Sequence, residues 1–337
     1  MRVGVDTFTL RDLKLTPLQM LDYVAAQALE GALFGGLSSL SATRDPGELK
    51  AIRARADDLG LYTQVSLSFP VNPFLQSRPP DEMAAEIRRE IEAAAACGWH
   101  ELHASMGNGP ERYEHTVPWE RHCSETAAFL RRLGPILRAH GSRINLETHG
   151  DLTTFEAVRL VEEAGTDIAG ICLDTANVLC HAEDPIWAAQ RAAPYVHMTH
   201  LKDGALSFIP TGVRRQTLPP GRGQLRWRTI LPILAEYAPD LPLSIEDHKW
   251  LFDFPVFERS WLRLHPDLTL EEMGRFMALA WEGTERIRNG TLPDPVAYDR
   301  QPHGEEVEER LRAGRDYLRG VLGELGLDRP GTAPQSS

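Results

Sequence analysis

The sequence predicts an α/β fold, a closed (β/α)8 barrel with a C-terminal helical extension, on three observations. Short apolar, β-branched runs alternate with longer segments of helical apolar spacing along most of the 337 residues. Eight such runs can be counted, each followed by a helix-like segment. Helix-start signals fall where that alternation needs them. A doubly wound open sheet would give the same alternation, so periodicity leaves closure open. No GxGxxG follows the first run, which counts against the dinucleotide-binding form of that alternative.

Taken in order, the strand candidates are RVGVDTF (2–8), GALFGG (31–36), LYTQVSLS (61–68), ELHAS (101–105), RINLETH (143–149), IAGICLD (168–174), YVHMTHLK (195–202) and LPLSIED (241–247). Parallel strands need crossovers, and the amphipathic segments 17–29, 46–59, 81–96, 120–139, 153–164, 184–193, 227–237 and 270–288 supply them. Thr16-Pro17 with Gln19, Asp45-Pro46, Thr153 with Glu156, and Thr269 with Glu272 are caps, capping boxes or first-turn prolines. Three segments exceed a minimal barrel: 203–226 with its PPGRG, the aromatic-rich 247–268, and 291–337. The expected organisation is a barrel over 1–290 and a helical extension and tail over 291–337. In the extension Val307, Leu311, Leu318, Leu322 and Leu325 recur at helical spacing, so this helix is expected to dock on the barrel or on a second subunit. The final GTAPQSS is expected to fray.

With 42% hydrophobic and 25% charged residues the chain can bury a large core, and its net charge of −12 argues against a nucleic-acid partner, which needs clustered Lys and Arg. MRVGVDTFTL has no basic segment or cleavage site, and no run is apolar for the eighteen or so residues of a membrane helix, so no membrane partner is expected. Cys97, Cys123, Cys172 and Cys180 form no CxxC pair and no disulfide framework, which suits a reducing cytoplasm.

In such a barrel the reacting groups stand at the C-terminal ends of the strands. Runs five to eight end in Glu147, Asp174, His200 and Glu246, each behind apolar residues: NLE, CLD, MTH, SIE. A single acid at a strand end is most often a cap, a rim charge or half of an ion pair. Three carboxylates converging on one mouth repel one another unless a cation offsets them. Three carboxylate oxygens and one imidazole suit Mn2+ or Mg2+, ahead of Co2+ or Zn2+.

The strings INLETHG, CLDTAN, VHMTHLKD, PPGRGQLRW and LSIEDH, in this order, resemble the xylose-isomerase-like TIM barrels, a family of sugar isomerases and epimerases and of endonuclease IV-type enzymes. The similarity spans roughly 1–290 and is densest over 143–250. It implies that Glu147, Asp174, His200 and Glu246 are metal ligands, that Glu147 and Glu246 are the acid/base pair, and that Gly221-Arg222-Gly223 with Trp227 is the turn before the seventh helix. Ketose 3-epimerases of the family carry a substrate-contacting His where this chain has Asn177. The endonuclease branch needs a histidine at the same place, so Asn177 and the acidic charge count against DNA repair. The string SIEDHKWLFDFPVFERSWLRLHPDLT is similar to a subgroup that includes 3-oxo-isoapionate decarboxylases, and C-glycoside-cleaving enzymes share the barrel type.

The implied activity is proton abstraction beside a ketone of a sugar or sugar acid, with isomerase/epimerase ahead of a carbon–carbon lyase on the same site, and a non-catalytic sugar- or protein-binding barrel as the alternative from another class. Period two places His149 with Glu147 and His248 with Glu246, so both are substrate-contact candidates, joined by Asn177, Lys202 and His181, the last also readable as a surface histidine at a helix start. Lys202 and Asp203 read first as holding the loop and the orientation of His200, ahead of chemistry. His197 should lie on the opposite strand face from His200. Arg214, Arg215 and Arg222 make a carboxylate or phosphate contact available. Trp250, Phe252, Phe254, Phe257 and Trp261 form a local cluster, a lid, or a patch for a neighbouring subunit; a homo-oligomer, dimer or tetramer, is the expectation, with a hetero-oligomer left open.

Overall fold

The computed structural model describes residues 1–75, 77–107, 109–114 and 116–328, so GTAPQSS lies outside the described residues. The chain forms β1 (Arg2–Asp6), β2 (Gly31–Gly36), β3 (Tyr62–Ser66), β4 (Glu101–Ala104), β5 (Arg143–Glu147), β6 (Ala169–Asp174) and β7 (Val196–His200). A hairpin of β8 (Asp203–Ile209) and β9 (Gly212–Leu218) precedes β10 (Pro242–Ile245), and β11 (Leu251–Phe254) follows it. Eight strands pair in parallel in the order β10-β1-β2-β3-β4-β5-β6-β7. The edges of that sheet meet at a bridge between Leu201 and Ile245, where Leu201 N–H donates to the Ser244 carbonyl at 2.8 Å and Glu246 N–H donates to that of Leu201 at 3.2 Å. The sheet is therefore a nearly closed barrel rather than a doubly wound open one.

Helices α1 (Pro17–Ala26), α2 (Leu37–Leu40), α3 (Pro46–Asp58), α4 (Pro80–Ala95), α5 (Trp119–His140), α6 (Thr154–Ala164), α7 (Pro185–Ala192) and α8 (Trp227–Tyr237) surround it, followed by α9 (Arg259–Arg263), α10 (Leu270–Arg288), α11 (Pro295–Asp299) and α12 (His303–Leu325). Thr16 with Gln19 and Thr153 with Glu156 close capping boxes, and Asp45 and Thr269 accept from first-turn amides. Alternation sends Ile144 and Leu146 outward, where they are fully buried under helices, and Asn145 and Glu147 inward. Each such buried aliphatic side chain contributes about 1.5–3 kcal/mol of transfer free energy. Among the described residues no helix is long and apolar enough to cross a membrane, and the four cysteines are free thiols.

The segments beyond the minimal barrel are structured. β8, β9 and β11 make a three-stranded antiparallel sheet in the order β11-β9-β8. The sequence hides it because Arg214 and Arg215 interrupt the apolar pattern of β9. Helix α10 covers the free edge of β8, where Phe208 N–H donates to Thr284 Oγ1 at 2.9 Å, while Leu206 N–H donates at 2.7 Å to Oε1 of Gln224 in the loop before α8. Helix α12 packs on β1, β10, α8 and the 3-10 turn Thr7–Leu13, with Val307, Leu311, Leu318 and Leu322 buried.

The approach of α10 to β8 requires glycine at 283, because a Cβ there would stand 1.9 Å from the Leu206 carbonyl oxygen. Alanine has the higher helix propensity by about 1 kcal/mol, yet Gly283→Ala is expected to destabilise by about 1–3 kcal/mol through overpacking. Thermal unfolding checks this; a raised Tm would contradict so close a contact.

Candidate functional site

The C-terminal ends of β5, β6, β7 and β10 bring together Glu147, Asp174, His200 and Glu246. One ligand atom from each lies within 4.8 Å of the others, and all four residues are buried. That spacing fits oxygen and nitrogen donors around a single cation. His200 Nδ1 stands 3.1 Å from Glu147 Oε1 and 3.0 Å from Glu246 Oε2, and its Nε2 stands 3.2 Å from Asp6 Oδ2 at the end of β1. Neither ring nitrogen makes a hydrogen bond of acceptable geometry. Orphaned buried donors of this type are what a metal ligand set looks like, with Asp6 placed to orient the imidazole from behind. Within the set, three ionised carboxylates against the single ammonium of Lys202, which pairs with Asp174 and Glu246, leave two negative charges, those that one divalent cation would balance. The residues present fit the group.

Lys202 is a fifth member of the cluster. Its Nζ lies 2.8 Å from Asp174 Oδ2, 2.8 Å from Glu246 Oε2 and 3.1 Å from His248 Nε2. Burial opposes its charge, but Asp174 and Glu246 outweigh that and raise its pKa. Burial likewise opposes ionisation of Glu147, and His149, His200 and the His103 hydrogen bond hold its carboxyl well below the usual range. Glu246 is held down against burial by Lys202 and His200. Asp174 is raised, by burial first and by Glu246 and Glu147 beyond what Lys202 offsets. It also accepts from the Asn177 side chain at 2.8 Å and from the Asn177 and Ala176 amides at 3.0 Å. Asn177 thus fixes a cluster carboxylate.

The histidine candidates separate. His248 is buried, with a pKa lowered to about 3 by burial and then by Lys202. Its Nε2 accepts from the Lys202 ammonium, so Nδ1 carries the proton, and Nδ1 has no partner. His149 is half-buried with an unpartnered Nδ1. His181 is not a surface residue: it is 1% exposed, Nδ1 lies 3.1 Å from His265 Nε2, and Nε2 lies 3.3 Å from the His149 carbonyl oxygen. Both of its nitrogens face protein atoms. His197 departs from the expected opposite face. A register shift pairs Ile171 with Val196 and Cys172 with Met198, and the extra residue, His197, turns toward Gly170 beside Asn145 and Arg143 on the barrel's inner side, below the cluster.

Asp203 performs the loop-holding role considered for it. Its carboxylate accepts from the amides of Gly204, Gly221 and Leu225 and from Trp227 Nε1, which builds the GRG turn. The aromatic segment divides: Phe254 and Trp261 are buried, whereas Trp250 and Phe257 are exposed, Trp250 edge-on to His248. Sequence reasoning passed over His103, whose Nε2 lies 3.1 Å from Glu147 Oε2, and Asp6. Asp6 ends the apolar run RVGVD, the same signal that exposed the other four, whereas His103 stands one residue inside the end of ELHA and carries no such signal.

Comparison with known proteins places this geometry in context. The family model described as xylose isomerase-like TIM barrel matches residues 24–259. A stretch of 102 residues, 30% of this chain and 31% of the relative, is 29% identical to the Escherichia coli (strain K12) protein YihM. Over 247 residues, 73% of this chain and 87% of the relative, the chain is 26% identical to a 2-epi-5-epi-valiolone 7-phosphate 2-epimerase of Actinoplanes sp. (strain ATCC 31044 / CBS 674.73 / SE50/110). The solved structure of D-psicose 3-epimerase with D-tagatose from Clostridium cellulolyticum H10 superposes with a TM-score of 0.65 over 96% of this chain and 99% of that one, at 16% identity.

Proposed function

The chain belongs to the xylose isomerase-like TIM barrel family, and from that membership and the geometry of the cluster we propose that it is a metal-dependent sugar epimerase or isomerase. The observation that carries this reading is the convergence of Glu147, Asp174, His200 and Glu246 within 4.8 Å at one end of the barrel. The epimerase from Actinoplanes, aligned over most of both chains, supports the same reaction class.

Glu147, Asp174, His200 and Glu246 would hold a divalent cation, Mn2+ or Mg2+ by their hard donor set, whose chemistry is to polarise a ketone so that a neighbouring C–H becomes acidic. Glu147 and Glu246 arrive from strands separated by β6 and β7 and meet at His200 Nδ1 from those two strands. Both carboxyls are held toward the ionised form, so one can take the proton from the carbon beside the ketone while the other, after taking a proton from solvent, delivers it to the opposite face, and the first then returns its proton to solvent. That exchange inverts the carbon. Lys202 holds Glu246 and Asp174 in place, and the unpartnered Nδ1–H of His248 is available to a substrate oxygen. Trp250 and Phe8 flank His248 and limit the access of water to it.

The test is incubation of the Mn2+-loaded protein with a panel of ketoses in D2O. The expected product is an epimer or isomer carrying one solvent deuterium beside the carbonyl, with no loss of mass, and EDTA treatment should abolish its formation. A protein that takes up no divalent cation under any loading condition would overturn the proposal. Release of CO2 or of an aglycone in the same incubation would replace it with a lyase acting through the same residues.

A further inference from the structure

One buried cation beside the cluster has no acidic partner. Arg215, in β9, is 4% exposed. It donates from one guanidinium nitrogen to Thr217 Oγ1 at 2.8 Å, its Nε has no partner, and among the described residues it takes part in no ion pair. Nearby arginines are otherwise disposed: Arg214 pairs in a fork with Asp253 at 2.6 Å, Arg222 pairs with Glu309, and Arg226 with Glu282. A guanidinium cannot shed its charge on burial, so an uncompensated one is costly, and one hydroxyl does not compensate it. The fold would be spared that cost by an apolar residue at this position.

The surroundings indicate what the charge is for. The Arg215 side chain lies beside Gly204, where Leu179 also packs, two residues beyond the Asn177 that fixes Asp174, and its charge helps to lower the His248 pKa. Thr217, which it contacts, lies against the Trp250 carbonyl, with its amide donating there at 3.1 Å. The other buried cation here, Lys202, is already engaged by Asp174 and Glu246. Resting on the reading given above, we propose that Arg215, with Thr217 beside it, receives an anionic oxygen group of the substrate, a carboxylate or a phosphate, so that the substrate is a sugar acid or sugar phosphate rather than a neutral sugar. The planar fork of a guanidinium matches either group, and a buried setting strengthens the contact.

Calorimetric binding to the full-length, Mn2+-loaded protein tests this with D-fructose against D-fructose 6-phosphate and D-fructose against 2-keto-D-gluconate. One anionic probe is expected to bind about tenfold or more tightly than D-fructose, as charge-assisted hydrogen bonds do, and the arm in which this happens identifies phosphate or carboxylate. Arg215→Met should erase the preference with Mn2+ affinity kept. If that variant fails to fold, Arg215→Lys decides, since it retains the charge without the fork and should keep only part of the preference. Equal or undetectable binding of charged and neutral probes, or a preference surviving in the Met variant or undiminished in the Lys variant, overturns the inference. Failure to bind Mn2+ or to exchange deuterium defeats the metal-enzyme reading instead, while the anion preference, measured without turnover, still stands or falls on Arg215.

Discussion

Replacing Glu246 by Gln is expected to lower kcat by about a thousandfold or more, at the upper end of what a positioned acid–base group contributes. The substitution keeps the side chain's volume and removes its charge. Two losses coincide: the proton acceptor disappears, and Lys202, which lies 2.8 Å from both Asp174 and Glu246, is left with one carboxylate partner. Mn2+ affinity should fall as well, so turnover must be compared at saturating metal to isolate the proton-transfer loss. Glu147→Gln should behave similarly, with the difference that His103 and His149 lose a carboxylate rather than an ammonium losing one. If both variants turn over ketoses at the native rate with metal saturated, the acid/base assignment is wrong, whatever the cluster binds.

The sequence disclosed this cluster because each of its four residues terminates an apolar run, where an ionisable side chain has no packing reason to be. The barrel was legible on the same grounds, since alternation and capping pairs such as Thr16 with Gln19 are local. Features that depend on how the chain turns after a strand were not. Lys202 enters the cluster only because Leu201 leaves β7 to bridge Ile245, which swings the next side chain across to Asp174 and Glu246. His197 faces inward through a single-residue bulge that leaves no trace in period-two counting. The hairpin of β8 and β9 carries arginines on both faces, and what separates them is a pairing partner: Asp253 across from Arg214 and, among the described residues, no acidic one for Arg215.

Replacing Arg310 by Met is expected to destabilise the fold by about 3–5 kcal/mol, the usual cost of removing one partner of a buried ion pair. Arg310 on α12 is 1% exposed and grips Asp247 with two bonds of 2.6 Å, while the Tyr298 hydroxyl and His303 complete the contact. Burial works against the Asp247 carboxylate, yet His303 and Arg310 bring its pKa from 3.8 to about 2. A depressed pKa means that the pair's stabilisation, about 2 kcal/mol by linkage, is fully present above the unfolded value and is lost as pH falls through the folded one. Acid unfolding of the native protein should therefore steepen between about pH 4 and pH 2, a component that Asp247→Asn should lack. Asp247 adjoins Glu246, so loosening it displaces a cluster carboxylate, and Arg310→Met should weaken Mn2+ binding although it lies outside the ligand set. Combining Arg310→Met with Asp247→Leu should recover much of the stability, because no charge is then buried alone. It should not restore Mn2+ affinity if the grip of α12 is what sets the position of Glu246. Recovery of both would reduce the ion pair to a stabilising contact, and recovery of stability alone would make the C-terminal helix part of the site.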